Sequence, residues 1–180
     1  MVLVASTSLQ TDSAQPFPGL DSKLTVIRPV PYLAAFVISS LAINPSETFA
    51  LKQYLEDLCR DFSMMLSSER PERVIAVEGI EIELPAVTAI PLGFIASELI
   101  TNATKYGTGR ITVRLEANPA QGYALSVAND GPALPEGFDP AVGKGLGMRI
   151  IRSLVERIGG ELRIGRGDMS QGTRFTVLFS

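Results

Sequence analysis

The sequence contains no histidine, and it has a single cysteine, Cys59, among its 180 residues. Without histidine the chain lacks the commonest metal ligand of proteins and cannot form Ser–His or Cys–His nucleophile pairs. One cysteine allows neither an internal disulfide nor a structural zinc site, which favours a reducing, cytoplasmic location. Any chemistry must therefore use carboxylates, amides, lysine, arginine, backbone N–H groups or a metal held by oxygen.

A basic charge excess and a long apolar run are also missing. The net charge is −3 and the isoelectric point is near 5.1. Nucleic-acid binders usually carry a basic face, so we expect no nucleic-acid partner. The apolar run 32–43 is shorter than the ~20 residues that a membrane helix needs, so we expect no membrane span.

The chain divides by composition into three parts. Residues 1–23 mix Ser, Thr, Gln and Pro without a period, which predicts a disordered tail. Residues 24–45 combine prolines with the apolar run, which is typical of a segment that packs on the domain or on a partner. Residues 46–180 have the patterning of one globular domain.

The domain is predicted to alternate helices with strand pairs. Ser46 is a candidate N-cap for a first helix, and Pro91 is expected in the first turn of a second helix. The predicted elements are a helix from 46, strands in 73–84 around a turn at 78–79, a helix over 88–106, strands over 110–117 and 121–129, a helix over 146–158, and strands over 161–166 and 173–179. This order predicts an α+β two-layer sandwich in which three helices cover one face of a mixed sheet.

The second predicted helix carries a polar face. Glu98, Asn102 and Lys105 stand at i, i+4 and i+7, so they share one side of the helix. Oxygen ligands suit Mg²⁺, an ammonium suits a phosphate, and a carboxylate can orient an attacking group. The same pattern alone is also typical of a solvated surface.

Two glycine-containing segments add to this pattern. Asn129-Asp130-Gly131 ends a predicted strand, where a carboxylate could accept a hydrogen bond from an amino group, although the triplet is also a common turn. Residues 143–148 (GKGLGM) precede a helix, where free backbone N–H groups suit phosphates; a hinge or capping loop is the alternative. Thr173 opens the last strand and either reaches a ligand or caps a turn.

The polar helix face, the triplet at 129–131, the segment 143–148 and Thr173 are four features that, in this order, resemble the nucleotide-binding boxes of the GHKL ATPase superfamily. The sequence over about 48–180 is similar to that of HWE-type histidine kinases. The resemblance implies the Bergerat sandwich, with ATP and Mg²⁺ as ligands. It also implies roles for five residues of the first two features: Asn102 as a Mg²⁺ ligand, Glu98 in orienting the attacking group, Lys105 on phosphate, Asp130 on the adenine amino group and Gly131 in making room for the ring.

The remaining residues would line the triphosphate and the base. The resemblance implies that Gly143, Gly145, Leu146 and Gly147 border the triphosphate beside a short lid over 132–142, and that Thr173 supports the adenine end.

The resemblance further implies a protein histidine kinase of a two-component system. Such kinases phosphorylate a histidine on a dimerisation segment, and no histidine is present here. We therefore expect the acceptor on another polypeptide or segment, namely a histidine-containing dimerisation domain or phosphotransfer protein. A response regulator would act downstream, and a homodimer is one assembly that the resemblance allows. The alternatives are a non-catalytic docking module derived from a kinase and a serine kinase of the anti-sigma type.

Overall fold

The computed structural model describes residues 47–67, 74–120, 122–131, 146–168 and 171–180. The predicted tail 1–23, the segment 24–45 and the lid 132–142 lie outside the described residues. The elements, in chain order, are β1 (Thr48–Ala50), α1 (Leu51–Ser67), β2 (Ile75–Gly79), β3 (Glu83–Pro85), α2 (Ala86–Tyr106), β4 (Thr108–Asn118), β5 (Gly122–Asp130), α3 (Leu146–Arg157), β6 (Glu161–Arg166) and β7 (Thr173–Phe179).

The main sheet has five strands in the order β2-β4-β5-β7-β6. β2 pairs with β4 in parallel, and the other neighbours are antiparallel, so the sheet is mixed. Alternate strand residues such as Val113, Val127 and Val177 are buried with the apolar sides of the three helices. The helices therefore cover one face, and the predicted α+β two-layer sandwich is confirmed.

The opposite face of the sheet carries charged side chains. Arg114 on β4 forms an ion pair with Glu78 on β2 at 2.9 Å and lies 3.8 Å from Asp168 after β6. Arg174 on β7 also pairs with Asp168. These long side chains lie over the sheet on the side away from the helices, which leaves the helix-covered face as the core.

The predicted pairing of the strands in 73–84 is wrong. β2 and β3 do not form a hairpin: β2 lies at the edge of the main sheet beside β4, and β3 pairs with β1 in a separate two-stranded sheet. Both strands alternate locally, and that alternation does not specify which strand is the partner. The parallel pairing is made by α2, which crosses from one end of the sheet to the other between β3 and β4.

The first helix begins later than predicted. Residues 48–50 are extended because they pair with β3, and α1 starts at Leu51; the proposed cap Ser46 lies outside the described residues. The N-terminus of α1 is capped by a residue that is distant in sequence. The Glu81 carboxylate accepts hydrogen bonds from the backbone N–H groups of Lys52 at 2.8 Å and Gln53 at 3.1 Å. A carboxylate at this end also suits the helix dipole.

The second helix is longer than predicted at its start. α2 begins at Ala86, whose N–H donates to the carbonyl of Glu47 at 2.8 Å. Pro91 therefore lies in the second turn rather than the first, and the carbonyl of Val87 receives no helical bond from it. Among the described residues, α2 is the one helix long and apolar enough to cross a membrane by length and composition. Most of it is buried against the sheet and the other helices, as in the core helix of a globular domain.

Candidate functional site

The polar side of α2 lies at the edge of the core. Ile95, Leu99 and Ala103 are buried on the side of this helix that faces the core, while Glu98 and Asn102 are half-buried. Lys105 is exposed in the last turn. The helix therefore holds the carboxylate and the amide at the boundary between the core and solvent, one turn apart.

Glu98 contacts the third helix. Its side chain lies against Gly147 in the first turn of α3, so closely that a Cβ atom at Gly147 would be 2.7 Å from Cδ of Glu98 and 3.1 Å from its Cγ. The spacing of the sequence could not reveal this contact, because the two residues are 49 positions apart in the chain. The structure thus brings together one residue from the predicted polar face and one from the predicted phosphate loop.

The glycine segment before α3 is only partly described. Gly143 and Gly145 lie outside the described residues. Leu146 and Gly147 belong to the first turn of α3 itself, and the Leu146 side chain is 70% exposed. Buried Ile151 and Val155 anchor the helix to the core. Of the predicted loop glycines, Gly147 is therefore helical.

The end of β5 presents its two polar residues to opposite faces of the sheet. Asn129 continues the row of Leu125 and Val127 on the helix-covered face, and its Cγ would be 2.7 Å from a Cβ at Gly107, the C-cap of α2. Asp130 points the other way, where its Oδ2 accepts a hydrogen bond from the N–H of Arg110 at 3.3 Å. Asn129 therefore lies on the side of the sheet that α2 covers, together with Glu98 and Asn102. Asp130 lies on the opposite side.

The Asn129 side chain is held in place by its own strand. Its Nδ2 donates to the carbonyl of Asp130 at 3.0 Å. The contact with the adenine amino group was predicted for the neighbouring carboxylate of Asp130 rather than for Asn129. The signal that could have identified it is the alternation of β5, since Leu125 and Val127 mark the buried face four and two residues earlier.

Thr173 lies beside Asn129. The two residues are directly opposite in the β5–β7 pairing, and Thr173 is 5% exposed. Gly131 has a φ of 138°, and a Cβ there would be 2.9 Å from the backbone nitrogen of Thr108. The absence of a side chain at Gly131 therefore serves the close approach of the chain's own backbone at this edge of the sheet.

The described residues contain no group of three or more His, Cys, Asp or Glu side chains placed to hold a metal ion. This donor set does not suit a metal held by protein alone. It fits Mg²⁺ held chiefly by phosphates and water, which needs as little as one protein oxygen, such as that of Asn102.

Comparisons with known proteins identify the family of this domain. The family model described as histidine kinase-, DNA gyrase B-, and HSP90-like ATPase matches residues 88–180, just over half of the chain. Blue-light-activated histidine kinase 2 of Erythrobacter litoralis is 31% identical over 98 residues, covering 52% of this chain and 28% of that protein. Sensor histidine kinase PdtaS of Mycobacterium tuberculosis is 26% identical over 159 residues, covering 85% of this chain and 31% of that protein.

Solved structures show the same fold. The histidine kinase domain of the Erythrobacter litoralis EL346 blue-light activated histidine kinase superposes with a TM-score of 0.64 at 26% identity, covering 75% of this chain and 67% of that domain. The chain spans about a third or less of the full length of the two curated relatives. On the family match, the chain belongs to the histidine kinase-, DNA gyrase B- and HSP90-like ATPases, as an ATP-binding domain of the histidine kinase type.

Proposed function

We propose that this domain binds ATP with Mg²⁺ along α2 and transfers the γ-phosphoryl group to a histidine on another polypeptide or segment. The observation that carries the proposal is the position of the Glu98 carboxylate against the first turn of α3. A helix N-terminus favours negative charge and offers free N–H groups, so phosphates bound there would lie beside a carboxylate that can act on the attacking group.

The base would lie at the other end of α2. From Glu98 to Gly107 the helix advances roughly 13 Å, at about 1.5 Å per residue. Asn129 and Thr173 lie near Gly107 on the same face, so an extended nucleotide with its phosphates near Glu98 would bring its base to these two residues. The Asn129 side chain already donates through Nδ2, which leaves Oδ1 to accept a hydrogen bond from an exocyclic amino group.

Transfer needs few protein groups. An imidazole nitrogen of the acceptor histidine attacks the γ-phosphorus with its lone pair, the bond to the β,γ-bridging oxygen breaks, and ADP leaves with the electron pair. The proton on the other ring nitrogen passes to a base, and the Glu98 carboxylate suits this role because it can hold the ring by a hydrogen bond before transfer. Lys105, exposed one helical turn beyond Asn102, would contact phosphate as a point charge.

Mg²⁺, when bound, neutralises charge that develops on the β- and γ-phosphates. The half-buried amide of Asn102 would supply one oxygen to it. The proposal places the domain in the cytoplasm, where ATP is available and the free thiol of Cys59 stays reduced.

The experiment mixes the protein, Mg²⁺ and γ-radiolabelled ATP with a histidine-containing dimerisation domain or phosphotransfer protein. Acid-labile, base-stable label on that partner is expected. Acid-stable label on serine would instead identify a kinase of the anti-sigma type. Tight nucleotide binding without transfer to any acceptor would identify a docking module, and a response regulator added afterwards tests the next step of the relay.

A further inference from the structure

Gly147 lacks a side chain where Glu98 needs the space. A Cβ atom at this position would lie 2.7 Å from Cδ and 3.1 Å from Cγ of Glu98, well inside the ~3.5–4.0 Å at which carbon atoms are in favourable contact. The carboxylate end of Glu98 occupies the volume that any other residue at 147 would fill.

Backbone conformation does not require glycine here. The described glycines with positive φ are Gly79, Gly109, Gly122, Gly131, Gly159 and Gly172, and Gly147 is not among them. It lies in the helical first turn of α3, and glycine is intrinsically a poorer helix former than alanine. Alanine at this position would stabilise the helix. The presence of glycine instead is explained by the space that Glu98 occupies.

The two helices cannot separate to relieve such a clash. α3 is fixed by Ile151 and Val155, and α2 is fixed next to Glu98 by Ile95 and Leu99, each of which is at most 4% exposed. The Glu98 side chain is the flexible partner, since the residue is only partly buried and its χ angles can change. A side chain at 147 would therefore turn the carboxylate away while leaving the packing of both helices intact.

We propose that Gly147 is a positioning residue, whose bare Cα holds the Glu98 carboxylate at the first turn of α3. This inference rests on the proposed function, in which Glu98 acts on the attacking group. It assigns to Gly147 a role distinct from contact with the nucleotide.

The experiment compares four variants with the wild-type protein: Gly147→Ala, Glu98→Asp, the double variant, and Gly165→Ala. Gly165 is the matched control, because a Cβ there meets nothing within 4 Å and its φ is not positive. For each, the rate of phosphoryl transfer, the Kd for Mg-ADP and the melting temperature are measured. The ¹³C chemical shift of the Glu98 carboxyl, assigned with Glu98→Gln, is followed in the wild type, Gly147→Ala and Gly165→Ala.

Gly147→Ala is expected to slow transfer by about 10- to 100-fold, the usual effect of displacing a reacting group by an ångström. It should leave the Kd within about twofold and shift the Glu98 carboxyl resonance, whereas Gly165→Ala changes neither. Aspartate is one methylene shorter, so in the Glu98→Asp background the added alanine should cost less than about threefold.

Three results would overturn the inference: an unshifted Glu98 resonance in Gly147→Ala, the same loss of rate in both Glu98 backgrounds, or a loss of Mg-ADP affinity that accounts for the loss of rate. If the wild-type protein transfers no phosphoryl group, the proposed function fails, and the carboxyl resonance alone still decides whether Gly147 positions Glu98.

Discussion

Asn129 and Asp130 are adjacent on β5, and their side chains lie on opposite faces of the sheet. Asn129 lies over Gly107 at the end of α2, while Asp130 accepts a hydrogen bond from the N–H of Arg110 on the side away from the helices. The pair therefore offers a test in which two neighbouring polar residues are expected to behave differently toward a ligand bound along α2.

Asn129→Leu should weaken Mg-ADP binding, and Asp130→Ala should not. Leucine keeps the size of asparagine and removes the acceptor, which costs one hydrogen bond worth about 0.5–1.5 kcal/mol, or about 2- to 10-fold in Kd. Asp130→Ala should change the Kd by less than about twofold, since its side chain faces away. Titration of a fluorescent ADP analogue measures both. A larger loss for Asp130→Ala would place the base on the opposite face.

Glu98→Gln should separate transfer from binding. The substitution preserves size and removes the charge and the basicity of the side chain, so transfer should fall by about 100-fold or more. The Kd for Mg-ADP should stay nearly constant, because the carboxylate acts on the acceptor. Single-turnover transfer and calorimetric titration give the two quantities. Equal losses in both would indicate that Glu98 holds the nucleotide.

Glu81→Ala should destabilise the domain by uncapping α1. The Glu81 carboxylate accepts from the backbone N–H groups of Lys52 and Gln53, and it also accepts from its neighbour Ile82 at 3.0 Å. Loss of a helix cap costs about 0.5–2 kcal/mol. Urea unfolding measures the change. Glu83→Ala, at an exposed position of β3, removes the same charge two residues away and should cost less than about 0.5 kcal/mol.

Cys59 should be inert in the folded protein. Burial, and to a smaller extent the charge of Glu56, raises the pKa of the Cys59 thiol to about 12. A disulfide reagent at pH 8 should therefore react slowly until urea exposes the thiol.

The same shift predicts a pH dependence of stability. Because the folded pKa of Cys59 lies above its ordinary value of 9.0, the stability that its neutral form provides is complete below about pH 9. It is lost as the pH rises toward 12. Cys59→Ala should flatten this loss in urea titrations at several pH values. An equally steep loss in the variant would assign the alkaline transition to other groups.

Local patterns predicted the elements well and their partners less well. The bounds of β6 and β7 follow from strand alternation between glycines, and α3 follows from its apolar stripe and the closing Gly159-Gly160. The pairing of β2 with β4 could not be predicted from local patterns, because a parallel neighbour is specified by the packing of α2 rather than by a turn.

For the candidate site, the sequence predicted which side chains share one face of a helix. The spacing of Glu98, Asn102 and Lys105 places them on one side of α2, as the structure has them. The face of Asn129 follows from the alternation of β5, but its position opposite Thr173 needs the strand register, and the contact between Glu98 and Gly147 needs the distance between two helices. Neither quantity is encoded in a short stretch of sequence.

The most direct test of nucleotide binding along α2 is a calorimetric titration of a non-hydrolysable ATP analogue with Mg²⁺ into the wild-type protein and into Asn102→Leu. Saturable one-to-one binding is expected for the wild type, weakened about tenfold by the substitution and also by removal of Mg²⁺. An absence of binding by the wild type, or equal affinity in the variant, would contradict the assignment of this face of α2 to ATP.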